Sequence, residues 1–151
     1  MAQIFSDPLP DIRWWMRHQT ALAALHSGRV FFRIPDNQTL WPVIRIYQLG
    51  GQPVNQGGDI PLERLAVSCE LWYGGSTVTV AYGGYPTLRS MTNILKSALQ
   101  QLPSGTLLNP NGNTVATDAA VTGVIDRPDP DTGWPRIIVD TTWAVHAAAF
   151  T

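Results

Sequence analysis

"LERLAVSCELWY", Leu62 to Tyr73, alternates without a break: Leu65, Val67, Cys69, Leu71 and Tyr73 fall on one side, and Arg64, Ala66, Ser68, Glu70 and Trp72 on the other. A period of two with one apolar side is the pattern of a half-buried antiparallel strand. The chain must therefore contain a sheet with one face in a core. Upstream, "GRVFFRIPDNQTLWPVIRIYQLGG", Gly28 to Gly51, reads as two short strands around a polar connection marked by proline. In its second half Ile44 and Ile46 alternate with Val43, Arg45 and Tyr47, so Arg45 points away from the two isoleucines. Downstream, "TVATDAAVTGVIDR" and "PRIIVDTTWAVHA" read as a long hairpin with "PDPDTGW" as its turn. There Ile137, Val139, Thr141, Trp143 and Val145 oppose Ile138, Asp140, Thr142, Ala144 and His146.

Two segments carry the helical period instead. "SDPLPDIRWWMRHQTALAALHSG" has a start signal in Ser6 or Asp7 and a stop in Gly28, and its Ile12, Trp15, Met16, Gln19, Leu22 and Ala23 predict one amphipathic helix ending near His26. "TLRSMTNILKSALQQL" predicts a second, with Leu88, Met91, Ile94, Leu95, Ala98 and Leu102 on its apolar stripe and Pro103 beyond it. "GGSTVTVAYGGYPT" before it reads as a glycine-rich link. "QLGGQPVNQGGDIPLE" reads as a long loop, and loops of that length inside a domain are commonly functional. The order of elements predicts an α+β fold: an antiparallel or mixed sheet flanked by two helices on one face, closed by a long C-terminal β-hairpin. Length predicts a single domain over residues 1–151.

Composition narrows the classes of function. The single cysteine, Cys69, excludes an internal disulfide and a cysteine metal site, which fits a reducing, intracellular origin. No stretch has the layout of a signal peptide or the apolar length of a bilayer span, so no membrane partner is expected. A net charge of −1 without a Lys/Arg block argues against sequence-specific nucleic-acid binding. Only 14% of residues are charged, against roughly 25% in ordinary soluble domains, while six are tryptophan. Depletion of charge with enrichment of aromatics marks the buried part of protein interfaces. At least two of the six tryptophans are accordingly expected at subunit contacts.

The patterns of catalysis and metal binding are weak. His18, His26 and His146 lie on different elements without metal-ligand spacing. Asp126, Asp129 and Asp131 in "DRPDPDTG" lack the glycine and glutamate of a calcium loop and read better as a turn. Cys69 sits mid-strand on the apolar side, where a small hydrophobe is expected. The glycine pairs form no phosphate-binding loop. No cofactor, metal or catalytic residue is expected, and the chain reads as something other than an enzyme.

Taken in order, the N-terminal helix, "GRVFFRIP", "WPVIRIYQLGG", "RLAVSCELWYGG" leading into a helix, and "DPDTGWPRIIVDTTWAVHA" resemble the tail terminator (tail completion) proteins of long-tailed phages. The resemblance spans most of the chain and rests on order and spacing. It implies a structural virion protein, six copies of which form a ring that caps the tail tube and joins it to the head-tail connector. The implied partners are further copies of the chain, the tail tube protein, the connector or stopper protein, and DNA passing through the lumen without sequence-specific binding. The implied location is the virion tail or neck, with host cytoplasm during assembly. Candidate interface residues are Arg33, Arg45, Gly50, Gly51, Gly57, Gly58, Asp59, Trp72, Asp131 and Trp134. Arg33 and Arg45 would pair across a boundary, line the channel, or simply face solvent. Another neck or tail protein, such as a stopper or tube protein, is the alternative, and a small enzyme with a polar pocket the more distant one.

Overall fold

The alternation in "LERLAVSCELWY" becomes a strand that is paired along both edges. The computed structural model describes residues 7–55, 62–74 and 78–148. Its elements are α1 (Leu9–His18), α2 (Thr20–His26), β1 (Val30–Phe31), β2 (Val43–Asn55), β3 (Leu62–Trp72), α3 (Val78–Gln100), β4 (Thr106–Leu107), β5 (Thr114–Asp126) and β6 (Arg136–Ala147). They build one mixed sheet in the order β1-β2-β3-β6-β5-β4, antiparallel except for the β1–β2 pair. The α+β class and the C-terminal hairpin are as the sequence indicates, and the sheet curls into a half-barrel.

The helices pack on one side of the sheet. Ile44, Ile46, Leu65, Val67, Cys69, Leu71, Ile137, Val139, Trp143 and Val145 are buried from the strands, and Ile12, Trp15, Met16, Leu22, Leu88, Met91, Leu95 and Leu99 from the helices. Trp15 meets Trp143 edge to face at 5.4 Å. The Trp143 indole N–H donates to the Thr141 hydroxyl at 2.9 Å, which donates to the Val67 carbonyl at 2.7 Å, so the polar atoms carried into this core are satisfied. Cys69 is fully buried, and burial pushes its thiol up to about 12, which makes it a core side chain and not a nucleophile.

Three sequence expectations need correction. The N-terminal helix is two helices, because Gln19 takes an extended conformation (φ −72°, ψ 115°) between them. The apolar period runs across the break and hides it. Asp7, just before α1, accepts from the Leu9 N–H at 3.0 Å. The expected loop from Gly50 is instead the second half of β2, pairing with β3 as far as Asn55 opposite Leu62. Register shifts between Gln48 and Gly50 and between Pro53 and Asn55 absorb the glycine and proline that look like loop residues in sequence. The glycine-rich link before the second helix is helical from Val78, with Pro86 inside it. Gly84 is there for proximity: a Cβ would stand 2.8 Å from Cβ of Tyr73.

Two buried polar groups fix the helices to the rest. Asp11 in the first turn of α1 accepts from the Asn109 amide at 3.1 Å and the Thr114 hydroxyl at 2.5 Å. His26, fully buried, closes α2: one ring nitrogen meets the Met16 carbonyl at 3.1 Å and the other accepts from the Gly28 N–H at 2.9 Å. Those partners require the neutral ring with its proton on Nε2. Burial lowers the His26 pKa below 6.5, and the charges of Arg29 and Arg17 act in the same direction. A second proton would also face the Gly28 donor. Because the unfolded chain binds that proton more readily, stability is greatest above about pH 6.5 and falls as pH drops through it, until the lowered folded-state value is passed. We therefore expect the melting temperature to fall between about pH 7.5 and about pH 5.5, and His26→Gln to be less stable at the upper pH but flatter across the interval. A wild-type melting temperature that does not change over this range contradicts the assignment.

Candidate functional site

On the face of the sheet opposite the helices the charged side chains meet one another. Arg45 on β2 lies directly across from Glu70 on β3, and the Arg45 guanidinium donates to Glu70 Oε1 at 2.7 Å. Arg136 approaches Oε2 of the same carboxylate at 3.6 Å. Glu70 keeps only 7% of its side chain in solvent, Arg136 14% and Arg45 39%. Each guanidinium also lies over a ring, Arg45 on Tyr47 at 4.7 Å and Arg136 on Trp72 at 5.1 Å. Further along the same face Arg64 approaches Asp118 at 3.6 Å. The face is thus polar yet largely neutralised, and buried Ser68 sits within it with a hydroxyl that has no partner.

Arg45 has its ion pair inside the chain. Arg33 lies beyond β1 on the surface, 87% exposed and loosely paired with Asp36 at 3.9 Å. Gly50 and Gly51 are β2 residues opposite Ala66 and Leu65. Gly57, Gly58 and Asp59 lie outside the described residues.

The remaining candidates, Trp72, Asp131 and Trp134, converge. They line a pocket of about 400 Å³ between the 32–42 connection and the hairpin tip, together with Trp41, Asp36 and Asp129. Trp41 and Trp134 meet edge to face at 5.3 Å, and Trp41 rests so close on Gly74 that a Cβ there would lie 2.3 Å from the indole. The tip is held by its own bonds. Asp129 accepts from the Thr132 N–H at 2.9 Å and hydroxyl at 2.7 Å, its own carbonyl accepts from Gly133 at 2.7 Å, and Gly133 takes the left-handed conformation (φ +72°) that the turn requires. The Thr132 hydroxyl chiefly holds the Asp129 carboxyl below its usual range. Of the six tryptophans, Trp15 and Trp143 are core, Trp14 stacks on His18 at the surface, and the other three gather here.

The sheet margins form the third feature. β1 pairs with β2 only at Ile44 and Arg45, and β4 with β5 only at Val115 and Ala116. Past those points the outer sides of β2 and β5 have no strand partner among the described residues. Both open margins carry exposed apolar side chains, Leu49 at 55% on β2 and Val124 and Ile125 at 48% and 50% on β5.

No family model and no curated protein matches the sequence. The fold has a counterpart. A chain from the virion of a native gene transfer agent (GTA) particle aligns with 90% of this chain and 92% of its own length, with a TM-score of 0.57 at 15% identity. At that identity the likeness speaks for the fold.

Sequence reasoning passed over Glu70, Arg136 and Trp41 as site residues, and read Asp129 as the turn residue it is. Glu70 had a signal, since a lone carboxylate on a half-buried strand needs a cation nearby. Removing one member of a buried ion pair strands the other, at a cost of about 3–5 kcal/mol when both are fully enclosed. With Arg45 partly in water we expect Glu70→Gln to lower stability by about 2 kcal/mol in denaturant unfolding, and Arg33→Ala by less than about 0.5 kcal/mol. Equal effects of the two substitutions would contradict this picture of the face.

Proposed function

We propose that this chain is a structural virion protein of the tail terminator type, forming a closed ring that caps a tail tube and joins it to the head-tail connector. The observation that carries the reading is the pair of open margins. Because β2, β3, β6 and β5 alternate in direction, β2 and β5 run oppositely. Copies related by rotation about an axis near the strand direction would set β5 of one beside β2 of the next as an antiparallel pair. That contact is heterologous, joining two different surfaces, and such contacts close into rings when the rotation divides a full turn. Edge strands with free backbone groups and exposed apolar side chains are a liability in a monomer and a ready interface in an assembly.

The shared fold with a chain of a GTA virion particle supports the same reading, as does the charge-poor, tryptophan-rich composition. In this role the ring has six copies, meets tube protein on one face and connector or stopper protein on the other, and passes DNA through its lumen without reading sequence. It assembles in the host cytoplasm and ends in the virion, and it performs no chemistry. A stopper or tube protein is the second reading, since the margins by themselves support any sheet-linked ring.

Native mass measurement of the purified chain, alone and with tube protein, tests the proposal. The expected species is six times the 16.6 kDa monomer. The double substitution Val124→Lys with Ile125→Lys, at two exposed positions, should leave folding intact and hold the protein as a monomer. A wild-type chain that stays monomeric at high concentration and with tube ends present would sink the proposal.

A further inference from the structure

The pocket at the hairpin tip has a composition that the ring does not explain. Trp41, Trp72 and Trp134 form its walls, Asp36, Asp129 and Asp131 stand around it, and no lysine or arginine lines it. Asp131 has no ion-pair partner among the described residues, Asp129 bonds its own turn and feels the charge of Arg136, which Glu70 already engages, and Asp36 has the loose contact to exposed Arg33. An indole-walled cavity beside three carboxylates that are only partly neutralised attracts a cation, because the ring faces and the carboxylates act in the same direction. The chain makes the corresponding contact itself at the pocket wall, where the Arg136 guanidinium lies over Trp72.

We propose that this pocket receives an arginine side chain presented by another protein chain. A guanidinium fits better than an ammonium: it is planar, stacks on indoles, is less strongly hydrated, and presents a fork of donors to carboxylates. The walls are already in place, since Trp41 is seated against Gly74 and packed edge to face on Trp134, so little ordering is needed on binding. The pocket lies at the end of the sheet where β5 gives way to the hairpin tip, and its lining does not include the margin residues Val124 and Ile125, so the proposal does not depend on ring formation.

The test uses the full chain and short capped peptides, Gly-Arg-Gly, the same peptide with citrulline, the lysine version, and a proline-rich peptide. Binding is read from the side-chain N–H signals of the tryptophans by NMR. The arginine peptide should shift signals assigned to Trp41, Trp72 and Trp134, and citrulline, which keeps the shape without the charge, should bind at least about tenfold more weakly. Lysine should fall between them, and added salt should weaken the arginine peptide. Asp131→Asn, at an exposed position that leaves the turn bonds of Asp129 untouched, should weaken arginine several-fold, as should Trp134→Ala. Equal binding of arginine and citrulline peptides, or no shift at these indoles, overturns the proposal. So does tighter, salt-independent binding of the proline-rich peptide unaffected by Asp131→Asn. Loss of arginine binding with intact ring assembly would separate this site from the ring, and failure of the ring alone would leave it standing.

Discussion

The pairing of β3 with β6 organises everything else. It runs in unbroken antiparallel register from Leu62 opposite His146 to Trp72 opposite Arg136, joining segments far apart in sequence. Because side chains alternate at every step, this one register decides which residues meet the helices and which meet the outside. It sets Cys69 beside Val139 and Leu65 beside Trp143 under the helices, and Ser68 beside Asp140 on the other face. A slip by one residue would carry the Glu70 carboxylate into the core and Trp143 into water. With β3 and β6 central, β2 and β5 become the long outer strands, so the same register creates the margins on which the functional reading rests.

The low charge content takes a physical form here. The charges present on the face opposite the helices are largely spent on one another, Glu70 between Arg45 and Arg136 and Arg64 against Asp118. Such pairs contribute little net stability when buried, but they allow a polar sheet face to be covered without unpaired charge. The carboxylates of the hairpin tip differ, being gathered beside indoles with no ion pair of their own among the described residues and with the charge of Arg136, which Glu70 already engages, acting on Asp129. One surface is therefore neutral and extended, while the other is small, aromatic and acidic. Surfaces so unlike suit different neighbours, as in an assembly built from more than one kind of chain.

Strand faces were legible in the sequence because a period of two needs only local reading. The core-facing residues of β3 and β6 follow the alternation from Leu65 to Leu71 and from Ile137 to Val145, while the burial of Ser68, Glu70 and Ala144 on the opposite face is not foretold by it. The stripe of α3 from Leu88 was equally plain. What stayed hidden depends on contacts across the chain. Gly50 and Pro53 look like loop residues because the shifts that accommodate them exist only against β3. The kink at Gln19 leaves the apolar period intact, and only the packing of α1 and α2 reveals it. At the site, Trp72, Asp131 and Trp134 could be named one by one, but their meeting with Trp41 requires the sheet order that sets the hairpin tip beside the 32–42 connection.

The central claim is that the free sides of β2 and β5 are the joints of an assembly. Hydrogen exchange resolved to single amides tests it directly, comparing the isolated chain with the assembled particle. Outward amides of residues 117–126 and 46–50 should exchange readily in the isolated chain and gain protection of at least about a hundredfold on assembly, while β6 is protected in both. An assembled particle in which β5 and β2 exchange as fast as in the monomer would contradict the account.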